Sequence, residues 1–255
     1  MRHDVTVREA GPDALVASAD DRVGRIMERL EAVYGVPDWT PRNDPLDELV
    51  ACILSQNTSD TNSFRAFEQL KRRFPSMQQV MNAPVGELAD TIRSGGLADT
   101  KAPRIQNVLR SLLAERGQLS LDFLYEMTDA EARAWLRSLP GVGPKTAGIV
   151  LCFAMGRPVL PVDTHVFRVA WRLGLIEKRI GEAKAHDALQ ALILPEQTFR
   201  FHVALITHGR QVCKAITPLC PVCPLTDLCP TYPKLQAAAR ERAEIETPFT
   251  EPSEN

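Results

Sequence analysis

The chain has 255 residues, 44% of them hydrophobic and 24% charged, a balance that fits a globular protein and excludes low-complexity or fibrous classes. No apolar run approaches the ~18 residues of a membrane span, and residues 1–21 lack the apolar stretch of a secretory signal. A cytoplasmic protein with no membrane partner is therefore expected. The net charge of −2 argues at first against a polyanionic partner, but the acidic excess sits at the ends. Residues 1–21 and 235–255 each carry net −3, which leaves +4 for residues 22–234. Screening shortens the reach of those tails, so a local cationic patch stays available.

Taken in chain order, the elements are helical. Leu46 to Leu54 carries apolar residues at helical spacing, and Ser63 to Phe74 repeats Phe64, Phe67, Leu70 and Phe74 at steps of three and four. Ile105 to Leu113 follows the same rule. Asp129 reads as the N-cap of a helix over Ala130–Leu139. Further helices are expected over Thr146–Met155, Thr164–Leu173, Ala183–Leu194 and Phe199–Thr207, with Pro75, Gly95-Gly96, Gly117, Gly141, Pro158 and Pro161 as breakers. Period-2 alternation is scarce. The fold class expected is all-α, with polar, disordered tails at 1–21 and 235–255.

Three constellations carry chemistry. Cys213, Cys220, Cys223 and Cys229 fall within 17 residues as C-x6-C-x2-C-x5-C. Four thiolates so spaced can hold zinc or an iron–sulfur cluster, although zinc sites usually pair two C-x2–4-C knuckles and only one is present. Lys214 and nearby Arg210 suit phosphate contact. Cys52 and Cys152 lie in apolar helical runs and read as buried core thiols.

The second constellation is L-P-G-V-G-P-K-T-A, Leu139 to Ala147. Gly141 and Gly143 permit left-handed dihedrals and a close backbone approach, and Pro144 suits the first turn of a helix. Free amides there can take a phosphate oxygen; the same residues also make an ordinary turn between helices. Lys145 puts a cation in that first turn, against the macrodipole, which favours the neutral, nucleophilic amine. It can equally be a solvated surface lysine. The third is V-D-T-H-V-F-R-V, in which Asp163 is a ready N-cap for a helix from Thr164. A capped carboxylate is rigidly held, so capping and catalysis are compatible there. His165 lies on the same helix, and the remaining histidines show no metal spacing.

In that order, with 18 residues from Lys145 to Asp163, the motifs resemble the endonuclease III family of helix-hairpin-helix base-excision glycosylases. The resemblance spans residues 40–232. It implies a six-helix barrel over 41–157 carrying the hairpin, and a cluster domain over 22–40 and 158–234, with double-stranded DNA in the cleft between them. The cofactor implied is a [4Fe–4S] cluster on the four cysteines. Lys145 resembles the family's nucleophile at the sugar C1′, and Asp163 the partner that handles the proton and stabilises positive charge on the sugar. Gly141, Val142 and Gly143 resemble the phosphate-binding hairpin. L-S-Q-N-T-S-D, Leu54 to Asp60, resembles the loop at the lesion pocket, which Asp60 and His165 are expected to border. Asn57 stands where many members have a glutamine that fills the hole left by the flipped base, with Gln56 beside it. G-G-L-A-D-T-K-A, Gly95 to Ala102, resembles the wedge loop, with Leu97 as the wedge.

The function implied is a monomeric glycosylase and AP lyase that removes oxidised pyrimidines from duplex DNA and nicks the strand by β-elimination. G-Q-L-S-L-D-F, Gly117 to Phe123, and the Asn57 loop are also similar to glycosylases of mismatched or methylated pyrimidines. An iron–sulfur DNA-binding protein with an idle site is a third reading.

Overall fold

A computed structural model describes the backbone of residues 12–246. It contains helices, turns and loops and, among the described residues, no strand. The chain divides into two compact units. One comprises residues 38–162 and 195–199; the other comprises the chain up to 37, 163–194, and from 200 onward. The sequence places the division a few residues away, at 40/41 and 157/158.

The first unit is built from α2 (Pro45–Ser55), α3 (Asp60–Arg73), α4 (Met77–Asn82), α5 (Val85–Thr91), α6 (Ala98–Arg116), α7 (Asp129–Ser138) and α8 (Pro144–Ile149). Helix α2 is buried on nearly every side, through Leu46, Leu49, Val50, Ile53 and Leu54. Leu70, Leu88, Ile92, Ile105, Leu109, Leu112, Leu136 and Val150 complete the apolar centre. Each such side chain withdraws enough apolar area to stabilise the fold by about 1.5–3 kcal/mol. Caps set the entries: Asp44 accepts from Leu46 N at 3.0 Å, and Ser76 forms a capping box with Gln79.

Several sequence expectations need correction here. The N-cap of α7 is Thr128, not Asp129; Thr128 and Glu131 form a reciprocal capping box, and Asp129 is the first helical residue. The T-D-A-E run is a box that starts one residue earlier than the aspartate suggests. Helix α8 stays α-helical only to Ile149, then widens into a π turn over Val150–Ala154. There the Cys152 carbonyl accepts from the Trp39 indole at 2.9 Å, the kind of freed carbonyl a π turn leaves. Helices α4 and α5 are too short for periodicity to reveal.

The second unit holds α1 (Pro12–Tyr34), α9 (Thr164–Arg172), α10 (Gly181–Gln190), α11 (Thr198–Gln211, with its first two residues in the other unit) and α12 (Tyr232–Glu246). Val23, Ile26, Met27 and Leu30 line one buried face of α1. Helix α10 starts two residues before the expected Ala183 and ends at Gln190, short of Leu194. The tails expected to be disordered are helical over residues 12–21 and 235–246; residues 1–11 and 247–255 lie outside the described residues. No described helix is long and apolar enough to cross a membrane.

Candidate active site and cysteine pocket

In the first unit the hairpin between α7 and α8 turns on Gly141. Its φ of +78° is left-handed, and a Cβ there would stand 2.7 Å from Arg104 Cδ. The left-handed φ favours glycine, and any Cβ there would also displace the Arg104 side chain. Gly143 differs from expectation: it is the extended N-cap of α8, at φ −93°, with open space where a Cβ would point. Val142 turns its side chain into the core, leaving only its backbone to the hairpin surface. Pro144 opens α8 and Lys145, the next residue, is exposed. Behind it Gly148 packs on the chain itself, since a Cβ would lie 2.9 Å from Pro161 Cα.

The loop after α2 meets this hairpin. Arg104 donates to Gln56 Oε1 at 2.7 Å, and Gln56 Nε2 donates to the Gly141 carbonyl at 3.4 Å. Gln56 is thus engaged within the protein, whereas Asn57 beside it is exposed. Asn57 has φ +53° and Leu97 has φ +50°. Among the described residues these two alone, other than glycines, adopt positive φ. Left-handed backbone costs an L-residue about 1–2 kcal/mol, least for asparagine. Leu97 has no such excuse, and it is 56% exposed at the mouth of α6. Asp60 is the exposed first residue of α3. Beneath the α2 end, Glu48 is buried between Arg42, Asn43 and Cys52. Burial pushes the Cys52 thiol upward and Cys152 up to about 12, so both are inert core thiols.

In the second unit Asp163 is 7% exposed and accepts from Val166 N at 2.7 Å, as an N-cap of α9 should. His165 is half-buried, with Nδ1 3.1 Å from an Arg168 guanidinium nitrogen that can only donate. Arg168 also donates to the carbonyls of Gly209 and Cys213, at 2.8 and 3.0 Å. Burial lowers its guanidinium from the ordinary range. Lys145 and Asp163 belong to different units.

Cys213, Cys220, Cys223 and Cys229 form no disulfide and line one pocket of ≈ 370 Å³ of empty volume. Among the described residues no three or more His, Cys, Asp or Glu side chains converge tightly enough for a single metal ion. A cubane cluster makes a different demand, because each corner iron takes one thiolate and the sulfurs surround the group. Burial raises the thiols of Cys220 and Cys229, and Cys223 to about 11, with neighbouring thiolates adding to the effect. Metal binding must therefore displace protons. The donor set fits an iron–sulfur cluster.

Sequence inspection missed what holds this pocket. Buried Arg172 donates to the Lys214 and Ala215 carbonyls at 2.7 and 2.8 Å and lies 3.4 Å from Cys213 Sγ. His208 stands 3.6 Å from Cys223 Sγ and 3.0 Å from the Tyr34 hydroxyl, and burial drops it to about 4. From α1, Arg22 reaches the Leu228 carbonyl at 2.7 Å, and Arg29 makes a two-point contact with Asp227 at 2.5 and 2.9 Å. Only the H-G-R-x-x-C run before Cys213 could have drawn attention to His208. Lys214 and Arg210 are exposed, and Ile216 and Val222 are exposed apolar residues of the same loop.

Residues 50–195 match the family described as HhH-GPD superfamily base excision DNA repair protein. The chain is similar to endonuclease III of Thermotoga maritima, 35% identical over 196 residues, or 75% of this chain and 87% of the relative. It is 42% identical over 171 residues to a provisionally named DNA glycosylase of Arabidopsis thaliana, covering 67% of this chain but only 58% of that longer relative. Among solved structures, a trapped endonuclease III–DNA covalent intermediate superposes with a TM-score of 0.72 at 30% identity, over 85% of this chain and 98% of that one.

Proposed function

The chain belongs to the endonuclease III family, within the HhH-GPD superfamily of base excision DNA repair proteins, and on that premise we propose that it is a bifunctional DNA glycosylase and AP lyase acting on oxidised pyrimidines in duplex DNA. The observation that carries the lyase half is Lys145, an exposed amine on the first turn of α8 directly after the Gly141 turn. In this reading the neutral Lys145 Nζ forms a bond to C1′ as the glycosidic bond breaks with its electron pair on the base. The base leaves as an anion and is neutralised by the proton that the attached amine loses, passed on by Asp163. Ring opening gives a Schiff base, and loss of a C2′ proton then expels the 3′ phosphate. Asp163 accepts the proton lost from the attacking amine and stabilises positive charge on the sugar, held for that task by its cap to Val166 N. Exposed Asn57 and Leu97 enter the duplex where the base has left, and the Gly141–Gly143 turn takes a phosphate through backbone groups. Asp60 borders the lesion pocket, while Arg210 and Lys214 contact the DNA backbone. The protein works as a monomer on DNA in the cytoplasm.

Cys213, Cys220, Cys223 and Cys229 hold a [4Fe–4S] cluster in this reading. When bound, the cluster supplies a covalent cross-link of the loop, with a capacity for one-electron chemistry that the glycosylase reaction does not call on. Arg172 then neutralises thiolate charge at Cys213 while fixing the loop backbone that carries Lys214.

The test is borohydride reduction during incubation with a duplex carrying one oxidised pyrimidine. A covalent protein–DNA adduct that vanishes in Lys145→Gln is expected. An adduct on an abasic duplex but on no oxidised pyrimidine would keep the nucleophile and remove the substrate assignment. No adduct on either duplex would refute the lyase reading.

A further inference from the structure

Lys101 is a lysine with almost no exposure, 2%, in the interior of the first unit. Its ammonium carries no carboxylate partner in the hydrogen bonds it makes; it donates instead to two backbone carbonyls, Leu54 O at 2.6 Å and Gly95 O at 2.8 Å. Those carbonyls sit at the roots of two separate loops. Leu54 precedes the Gln56–Ser59 turn by two residues, and Gly95 precedes Leu97 by two. The loops carry Asn57 and Leu97, the two non-glycine residues with positive φ among the described residues. Such backbone persists only where surrounding contacts over-determine it. The same two segments also pack directly: a Cβ on Gly95 would stand 3.8 Å from the Leu54 carbonyl oxygen, and one on Gly96 would stand 3.9 Å from Thr58 Oγ1. The backbone amide of Lys101 also donates to the Leu97 carbonyl at 2.9 Å. An apolar side chain would fill this interior as well for packing alone, since burial disfavours the charged ammonium.

We propose that Lys101 is a positioning residue that locks the Asn57 loop and the Leu97 loop into one rigid element, so that both enter the duplex as a unit. This inference rests on the assignment of both residues to DNA insertion. The chemistry is general: a point charge with three donors can gather carbonyls from non-contiguous turns, and two loops held to one ammonium lose the freedom to move separately. Lys101 touches neither DNA nor Lys145 in this scheme and acts only through the two loops.

The test is a double-mutant cycle on affinity for a duplex bearing a tetrahydrofuran abasic analogue. Asn57→Ala and Leu97→Ala are measured singly and together, in the wild-type and Lys101→Met backgrounds. In the wild-type background the combined loss is expected to depart from the product of the single losses by roughly fivefold or more. In Lys101→Met the losses should multiply to within about twofold. A general weakening of the fold would lower affinity without removing that coupling. Coupling that survives in Lys101→Met overturns the inference and leaves the functional reading intact. A wild-type protein with no preference for the tetrahydrofuran duplex over an unmodified one refutes the functional reading, and the inference falls with it. Should Lys101→Met fail to fold, hydrogen exchange on Leu97→Ala decides. Loss of duplex-induced protection at residues 54–60 as well as 95–98 supports one rigid element, and full protection at 54–60 overturns it.

Discussion

Replacing Gly141 by alanine tests the geometry of the hairpin most directly. Two costs follow from the structure. At φ +78° an alanine pays about 1 kcal/mol or more for left-handed backbone. Its Cβ would also stand 2.7 Å from Arg104 Cδ and 2.9 Å from Arg104 Nε. A flexible arginine can swing clear, but only by surrendering its 2.7 Å hydrogen bond to Gln56. That bond involves a charged donor at a partly solvated site, so its loss is worth about 1 kcal/mol. The expected total is about 2 kcal/mol, read from urea unfolding followed by circular dichroism. The two terms separate in a cycle: with Arg104→Ala already in place, Gly141→Ala should cost only the backbone term, about 1 kcal/mol. The same variant should weaken binding to an abasic-analogue duplex, because Arg104 and Gln56 link the hairpin to the Asn57 loop. An equal cost in both backgrounds would refute the steric account, and a total below about 0.5 kcal/mol would refute both terms.

Three further outcomes are expected. Asp163→Ala should lose about 1 kcal/mol with its cap, whereas Asp163→Asn should keep stability and lose borohydride trapping; an active asparagine variant would reduce Asp163 to a cap. Arg172→Met strands the Lys214 and Ala215 carbonyls and should cost about 2–4 kcal/mol with a fall in bound iron per chain, so an unchanged iron ratio and melting temperature would show that the arginine does not hold the loop. In the folded protein Cys52 and Cys152 should resist a disulfide reagent at pH 8 and react on unfolding. The reason is that a thiol pushed up to about 12 holds roughly a thousandfold less thiolate than an ordinary one; labelling of the native protein at either position, checked by peptide mapping, would contradict their burial.

Much of this protein is legible in its sequence. The 3- and 4-residue recurrence of apolar side chains marked α2, α3, α6 and α9, because a helix must turn one stripe inward to be stable. The cysteine spacing and the glycine turn before Lys145 were legible because local covalent order decides them. What stayed hidden was of two physical kinds. Short or oddly wound segments such as α4, α5 and the π turn at Val150–Ala154 carry too few residues to show a period, and their winding answers to neighbours such as Trp39.

The other kind is contact across long sequence separations. The sequence alone determined helical class, the cap at Asp163, and which residues could act as nucleophile or thiolate ligands, since each depends on residues within a turn of one another. Only tertiary structure decided that Gln56 is committed to Arg104 while Asn57 is exposed, and that Lys101 joins two loops through their carbonyls. It likewise decided that His208 and Arg172 crowd the cysteine pocket. A buried charge or a left-handed leucine is costly by itself, so no local rule foretells it; it survives because distant segments, brought together by the apolar core, hold it there.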